Sequence, residues 1–158
     1  MGIAITDVLG TKVYLAPKGT VVTTATQASD AATAGKQILC LQELGDVSES
    51  KSVTEYSCLE GGDATKSFGS KTLGNFQLDV LYDAADSAGQ ADMVTMWDNT
   101  ERRQIIVEMS DGGGTSPSYV TFEIGLSTQT MSFQKDGAVM YKNTAEQTSK
   151  RVLIKAVA

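Results

Sequence analysis

Strict alternation is the feature that most limits what this chain can become. Val120, Phe122, Ile124 and Leu126 alternate with Tyr119, Thr121, Glu123 and Gly125. That period of two puts one apolar face on a core and turns the other outward, as in a half-buried strand. Met131 and Phe133 carry the pattern on across Thr130, Ser132 and Gln134. Ile105, Val107 and Met109 are opposed by Gln104, Ile106 and Glu108, and Phe76, Leu78 and Val80 alternate with Gln77 and Asp79. Shorter candidates are Val13 with Leu15, Val21 with Val22, Ile38 to Leu41, Val53 to Cys58, Ala138 to Tyr141, and Val152 with Ile154.

Turn chemistry separates these runs. Asp111-Gly112-Gly113-Gly114 with Ser116-Pro117 reads as a flexible hairpin loop. A phosphate cradle would need a helix directly after the glycines, and a strand pattern follows instead. Asp136-Gly137 suits a two-residue hairpin turn. One stretch, DSAGQADMVTMWDN from Asp86, departs from period two. Ser87 with Gln90 fits a capping box, so Asp86 or Ser87 opens a short helix over about 87–98. Met93, Val94, Met96 and Trp97 form its apolar stripe, with Asp92, Thr95 and Asp98 opposite. Met93, Val94 and Trp97 are expected to pack against a sheet. The fold class expected is mainly β: a β-sandwich or partly open barrel with one short flanking α-helix and long extended loops. Residues 1–158 are expected to form a single domain.

Composition narrows the chemistry. With 13 Lys plus Arg against 19 Asp plus Glu, the formal charge is −6, a poor balance for gripping a phosphate backbone. The absence of histidine excludes Ser-His-Asp and Cys-His triads and His-based metal sites. Asp79, Asp83 and Asp86 lie close in sequence, yet read as solvated strand and helix flanks rather than an acid–base pair. Asp7, Asp30 and Asp46 lack calcium-loop spacing. Cys40 and Cys58 are too few for a disulfide framework or zinc site, and are expected to be reduced. No catalytic residue, metal or cofactor is expected, and the chain does not read as an enzyme. The N-terminus lacks the layout of a secretory signal, and Thr6 gives only a partial match to the myristoylation pattern after Gly2. No apolar run reaches membrane-spanning length.

What remains is surface. Segment 43–75 is polar, rich in both charges and glycine, and interrupted only by the short strand near Val53 to Cys58. Excursions of that length in compact domains are functional or disordered. The first dozen residues and the tail after Gly137 also read as arms. A small β domain with extended polar arms and no active site fits a self-assembling building block.

SVTEYSCLEGGDATKSFGSKTLGNFQLDVLYD resembles the corresponding stretch of major tail tube proteins of long-tailed, non-contractile (siphovirus) bacteriophages. The likeness rests on Val53-Thr54 to Leu59, on Lys66-Ser67-Phe68-Gly69, and on Leu73-Gly74-Asn75-Phe76. MVTMWDN, RRQIIVEM and YVTFEIGLSTQTMSFQKDGAV then follow in the family's order, so the resemblance covers most of the chain from about Val53 onward. It implies a structural virion protein of the phage tail, made and assembled in the host bacterial cytoplasm. Six copies would form a homohexameric ring whose inner sheets join into a barrel, and rings would stack into a tube for genome ejection. The implied partners are further copies, a tape measure protein, a tail terminator and tail tip or baseplate proteins. DNA would pass through the lumen without tight binding.

Within that picture, segment 43–75 is an extended hairpin that docks on a neighbouring subunit or on the next ring. Glu60, Gly61, Gly62, Asp63, Lys66, Phe68, Gly69 and Lys71 are its candidate contact residues. Alternation turns Gln77, Asp79, Glu108, Thr121, Glu123, Thr130, Ser132 and Gln134 away from the core; some would face the lumen and the others the outer wall. Two alternatives stand beside this reading: the inner tube of a contractile injection machine, and a carbohydrate-binding β-sandwich. The single Trp argues against the second.

Overall fold

The longest alternating run becomes the spine of the fold. A computed structural model, which describes residues 7–57, 59–83, 89–110, 117–135 and 137–155, gathers it into one strand of 15 residues. The elements run β1 (Asp7–Leu15), α1 (Ala25–Ala34), β2 (Lys36–Gln37), β3 (Leu41–Leu44), β4 (Glu49–Tyr56) and β5 (Thr65–Leu73). They continue as β6 (Asn75–Leu81), α2 (Gly89–Asp98), β7 (Arg103–Ser110), β8 (Ser118–Ser132), β9 (Met140–Gln147) and β10 (Val152–Ile154). Eight strands form one antiparallel sheet in the order β2-β1-β7-β8-β9-β6-β3, with β10 also on β8. β4 and β5 stand apart as a two-stranded sheet.

At about 3.4 Å per residue, β8 is too long to stay within one layer. Its first half pairs with β7 and β10, its second half with β9, and the register shifts between Leu126 and Thr128. Such a bulge bends a strand and increases its twist. The sheet therefore folds over on itself without closing into a barrel. Val13, Leu15, Ile105 and Phe122 from one half meet Phe76, Leu78, Val80 and Ala145 from the other. Phe76 and Phe122 meet edge to face, 5.6 Å between ring centroids, an arrangement that adds to the burial of their area.

α2 lies against this core, but not in the rotation read from its sequence. Met93 and Met96 are buried at 2% and 1% exposure, Val94 is half-buried, and Trp97 is 39% exposed. Trp97 is thus not a core-packing residue; the flexible Met96 takes that place, filling an irregular gap that a rigid indole would not. Arg103 on β7 fixes the helix from outside, donating to Asp92 at 3.0 Å and to Glu101 at 3.1 Å. Gln90 donates to Leu81 O at 2.6 Å and accepts from Asp83 N. The capping residues Asp86 and Ser87 lie outside the described residues, as do Cys58, the Asp111–Ser116 turn and Asp136.

A second helix, α1, was not expected. Thr24 caps it, and Gln27 completes a capping box, the Thr-x-x-Gln signature that satisfies two otherwise orphaned N–H groups. Its buried residues are only Ala28 and Ala31, so it has no apolar stripe to announce it. It packs through them on Ile106 and Tyr119, with Ala16 and Val22. Val22 is therefore a core residue outside any strand. The tail departs from expectation: β9 lies between β8 and β6, and β10 pairs with β8, so the described residues after Gly137 are sheet and not an arm. Of the first dozen residues only 7–12 are described, and Asp7 and Lys12 pair with β7.

Candidate assembly surfaces

The polar excursion is a ribbon. β4 and β5 pair antiparallel from Glu49–Leu73 to Tyr56–Thr65, with one irregularity between Lys51 and Val53. Every residue of both strands is exposed except the first, Glu49, and the last, Leu73. Gly61 and Gly62 in the turn have φ of 85° and 127°, a region that favours glycine. Val53 faces Phe68 across the ladder on one side, followed by Glu55 opposite Lys66, 3.9 Å apart. Val53, Phe68 and Tyr56 are 52%, 68% and 61% exposed. A lone two-stranded ribbon with bare apolar side chains is marginal in water.

Its base is held firmly. The Glu49 carboxylate, 8% exposed, accepts from Lys71 on the partner strand, from Gln147 Nε2 at 2.9 Å and from Arg151 N at 2.9 Å. The Lys71 ammonium, then the Arg151 N–H and the Gln147 amide, hold its pKa down to about 2, against an ordinary 4.5. A Cβ at Gly74 would collide with the Ser48 hydroxyl and carbonyl, so the strand leaving the arm runs tight against the strand entering it.

The second surface is the outer face of the half-sheet β3-β6-β9-β8. Cross-strand register aligns Glu43, Asp79, Lys142 and Thr130 in one row. The rows on either side carry Gln77, Thr144 and Thr128, and then Leu81, Met140 and Ser132. The sequence candidates Gln77, Asp79, Thr130 and Ser132 thus share one face, but Asp79, 9% exposed, is buried between its neighbours there rather than solvated. Sequence reading missed Glu43, Thr128, Lys142, Thr144 and Glu146 there; a period-two count through β9 would have found the last three. Both margins of this half-sheet lack a strand partner among the described residues. β3 ends the sheet, and β8 beyond Ile124 pairs only with β9.

The other candidates fall elsewhere. Thr121 is fully buried beside Val22 and donates to its carbonyl, so it cannot face a lumen; α1 and its lead-in cover it. Glu108 lies in that layer, 3.8 Å from Lys12. Burial, and then the Glu108 charge, raise the pKa of Tyr14 and Tyr119. Glu123 accepts from Thr148 Oγ1 at 2.7 Å. Gln134 is exposed just beyond β8. The arm candidates Glu60, Gly61, Gly62, Asp63, Lys66, Phe68, Gly69 and Lys71 are all exposed.

Among the described residues no three His, Cys, Asp or Glu side chains gather as a metal site, and no helix is long and apolar enough to cross a membrane. A groove of about 540 Å³ opens between Met109, Val120 and Leu153, with Glu49 and Arg151 at its edge.

No family model and no curated protein matches the chain. Solved structures do. A chain of the anti-feeding prophage tube-terminating cap superposes with a TM-score of 0.70 at 13% identity, over 99% of this chain and 97% of that one. A chain of the extended sheath–tube complex of the extracellular contractile injection system PVC gives 0.67 at 15% identity, over 97% and 93%. The SPP1 tail tube gives 0.66 at 9% identity, over 98% and 81%. The chain has the fold found in the chains of phage tail tubes and contractile injection machines. That likeness includes a contractile injection system, so it is broader than the non-contractile resemblance in the sequence.

Proposed function

We propose that the protein is a structural subunit of a phage tail tube, laid down as stacked hexameric rings in a virion tail. The carrying observation is the half-sheet β3-β6-β9-β8, polar on its outer face and open at both margins. Copies joined margin to margin complete the ladders that each leaves unfinished. The face carrying Gln77, Asp79, Thr130 and Ser132 then lines a channel. Its acids Glu43 and Glu146, with the buried Asp79 behind them, outnumber Lys142, a balance that lets a polyanion pass without capture. The arm, anchored at Glu49, reaches a neighbouring subunit. A tape measure protein inside, and terminator and tip proteins at the ends, complete the assembly, which forms in the host cytoplasm and serves DNA ejection.

Negative-stain microscopy of the concentrated protein tests this, with hollow tubes or six-fold rings expected. A strictly monomeric preparation at every concentration and ionic strength, with or without tail-tip proteins, rejects it. A second reading, the inner tube of a contractile machine, is favoured by the similarity to the sheath–tube chain. Particles isolated from the natural source, with or without a sheath around the tube, separate the two.

A further inference from the structure

We propose that the groove between Met109, Val120 and Leu153 is the receptor for the arm of another copy of this chain, an inference that rests on the tube-building reading above. Leu153 pairs with Val120 across β10 and β8. Val120 packs against the main core from that face, yet Leu153 beside it is 58% exposed. Among the described residues an apolar floor is thus left open at this groove. Val53 and Phe68 are the matching excess: adjacent across the ribbon, on one face, and each more than half exposed.

Charge makes the same match. Lys150, Arg151 and Lys155 cluster around β10, three of the 13 basic residues within six positions. The outer arm carries Glu55, Glu60 and Asp63 against Lys66. An outer arm of net negative charge with an apolar face thus meets an apolar floor flanked by Lys150 and Lys155 beside the Glu49–Arg151 pair, in a protein that is otherwise acidic. The margin of β10 away from β8 is unpaired among the described residues, so the ribbon can add to it as a further strand.

The occupant is a second copy rather than the chain's own arm. Glu49 sits at the groove, and Val53 lies four residues further along β4, about 14 Å away at about 3.4 Å per residue. The ribbon cannot bring Phe68 back to its own groove while β4 and β5 keep their ladder.

Disulfide trapping tests this in a chain carrying Cys40→Ser and Cys58→Ser. Phe68→Cys and Leu153→Cys are added together; both positions are exposed, and circular dichroism checks that the fold is kept. Oxidation of assembled material is expected to give a ladder of linked copies on a non-reducing gel, while either single cysteine stops at dimer. A charge swap supplies an independent arm. Glu55→Lys with Glu60→Lys and Asp63→Lys, or Lys150→Glu with Lys155→Glu, should each raise the concentration needed for assembly roughly tenfold, and the combined chain should recover. Tubes that form without the ladder, or a combined chain no better than its parents, overturn the groove assignment and leave the tube reading standing. Failure of the wild-type chain to assemble at all rejects the tube reading itself.

Discussion

Glu49→Gln isolates the anchor of the arm, because it removes charge and keeps shape. The carboxylate is 8% exposed and takes donors from Lys71, Gln147 and the Arg151 backbone. Its pKa falls from 4.5 to about 2. At 1.36 kcal/mol per pKa unit that shift is a ceiling of about 3.4 kcal/mol. The Lys71 and Arg151 side chains are 42% and 44% exposed, so solvent screens the pair and about 2 kcal/mol is the expected loss. That figure also sits within the ~1.5–3 kcal/mol range for a hydrogen bond to a charged group.

The sign with pH follows from the direction of the shift. A carboxylate with a depressed folded pKa stabilises fully above its unfolded value of 4.5 and loses that contribution as pH falls toward about 2. Urea unfolding of unassembled wild type and Glu49→Gln should therefore differ by about 2 kcal/mol at pH 7 and by under half of that at pH 3. Amide exchange in β4 and β5 should quicken in the variant more than in β6 or β8. An equal difference at both pH values, or none at pH 7, would refute the charge-anchored base.

Other perturbations separate layers of the argument. Met96→Ala removes a side chain that is 1% exposed and should cost about 2–5 kcal/mol by denaturant titration. Trp97→Ala, at 39% exposure, should cost well under half as much. Thr24→Ala breaks the capping box of α1 and should cost about 1 kcal/mol; a neutral result would show that the helix is held by packing alone. Deleting residues 61–70 should leave a folded, soluble monomer by circular dichroism and light scattering that forms no tubes under the microscope. Normal tubes from that chain would mean that the arm is not an interface.

Strand content was legible wherever alternation was long. The runs through Phe76, Ile105 and Val120 emerge as β6, β7 and β8 because each buries the apolar face that alternation marks, although α1 also covers the other face of β7 and of the first half of β8. The arm was legible as a departure from that pattern, since β4 and β5 have no buried face to create one. α1 was hidden for a physical reason: helices held by alanine against a flat sheet need no apolar stripe. Two signals did mark it, the Thr24–Gln27 box and Ile106 on the face of β7 that otherwise looked wet. That second layer also removed Thr121 from the wetted face. Trp97 misled because stripe width fixes a helix's apolar side only to within one neighbour, and Met93 with Met96 already filled the space. Which polar residues share a face depends on long-range register, as in the row Glu43, Asp79, Lys142 and Thr130, and no local pattern encodes that.

On the tube-building reading proposed above, the two open margins account for a subunit that stays soluble before it assembles. β3 has four residues and carries Glu43, and the free margin of β8 runs through Gly125, Ser127, Thr128, Gln129 and Thr130. Short, charged or hydroxyl-rich edges pair weakly and resist indiscriminate aggregation. On the same reading the exposed arm adds a third weak contact, held in direction by Glu49. One neighbour offers a margin or an arm site, and neither alone offsets the freedom lost on association. A ring or tube end offers several at once, so growth on an existing end is favoured over pairing in solution. Strengthening one margin should therefore be harmful: Glu43→Val is expected to yield off-pathway sheet-like aggregates in place of tubes, seen as thioflavin-positive material with no lumen under the microscope. Faster, regular tube growth from that variant would show instead that edge affinity alone limits assembly.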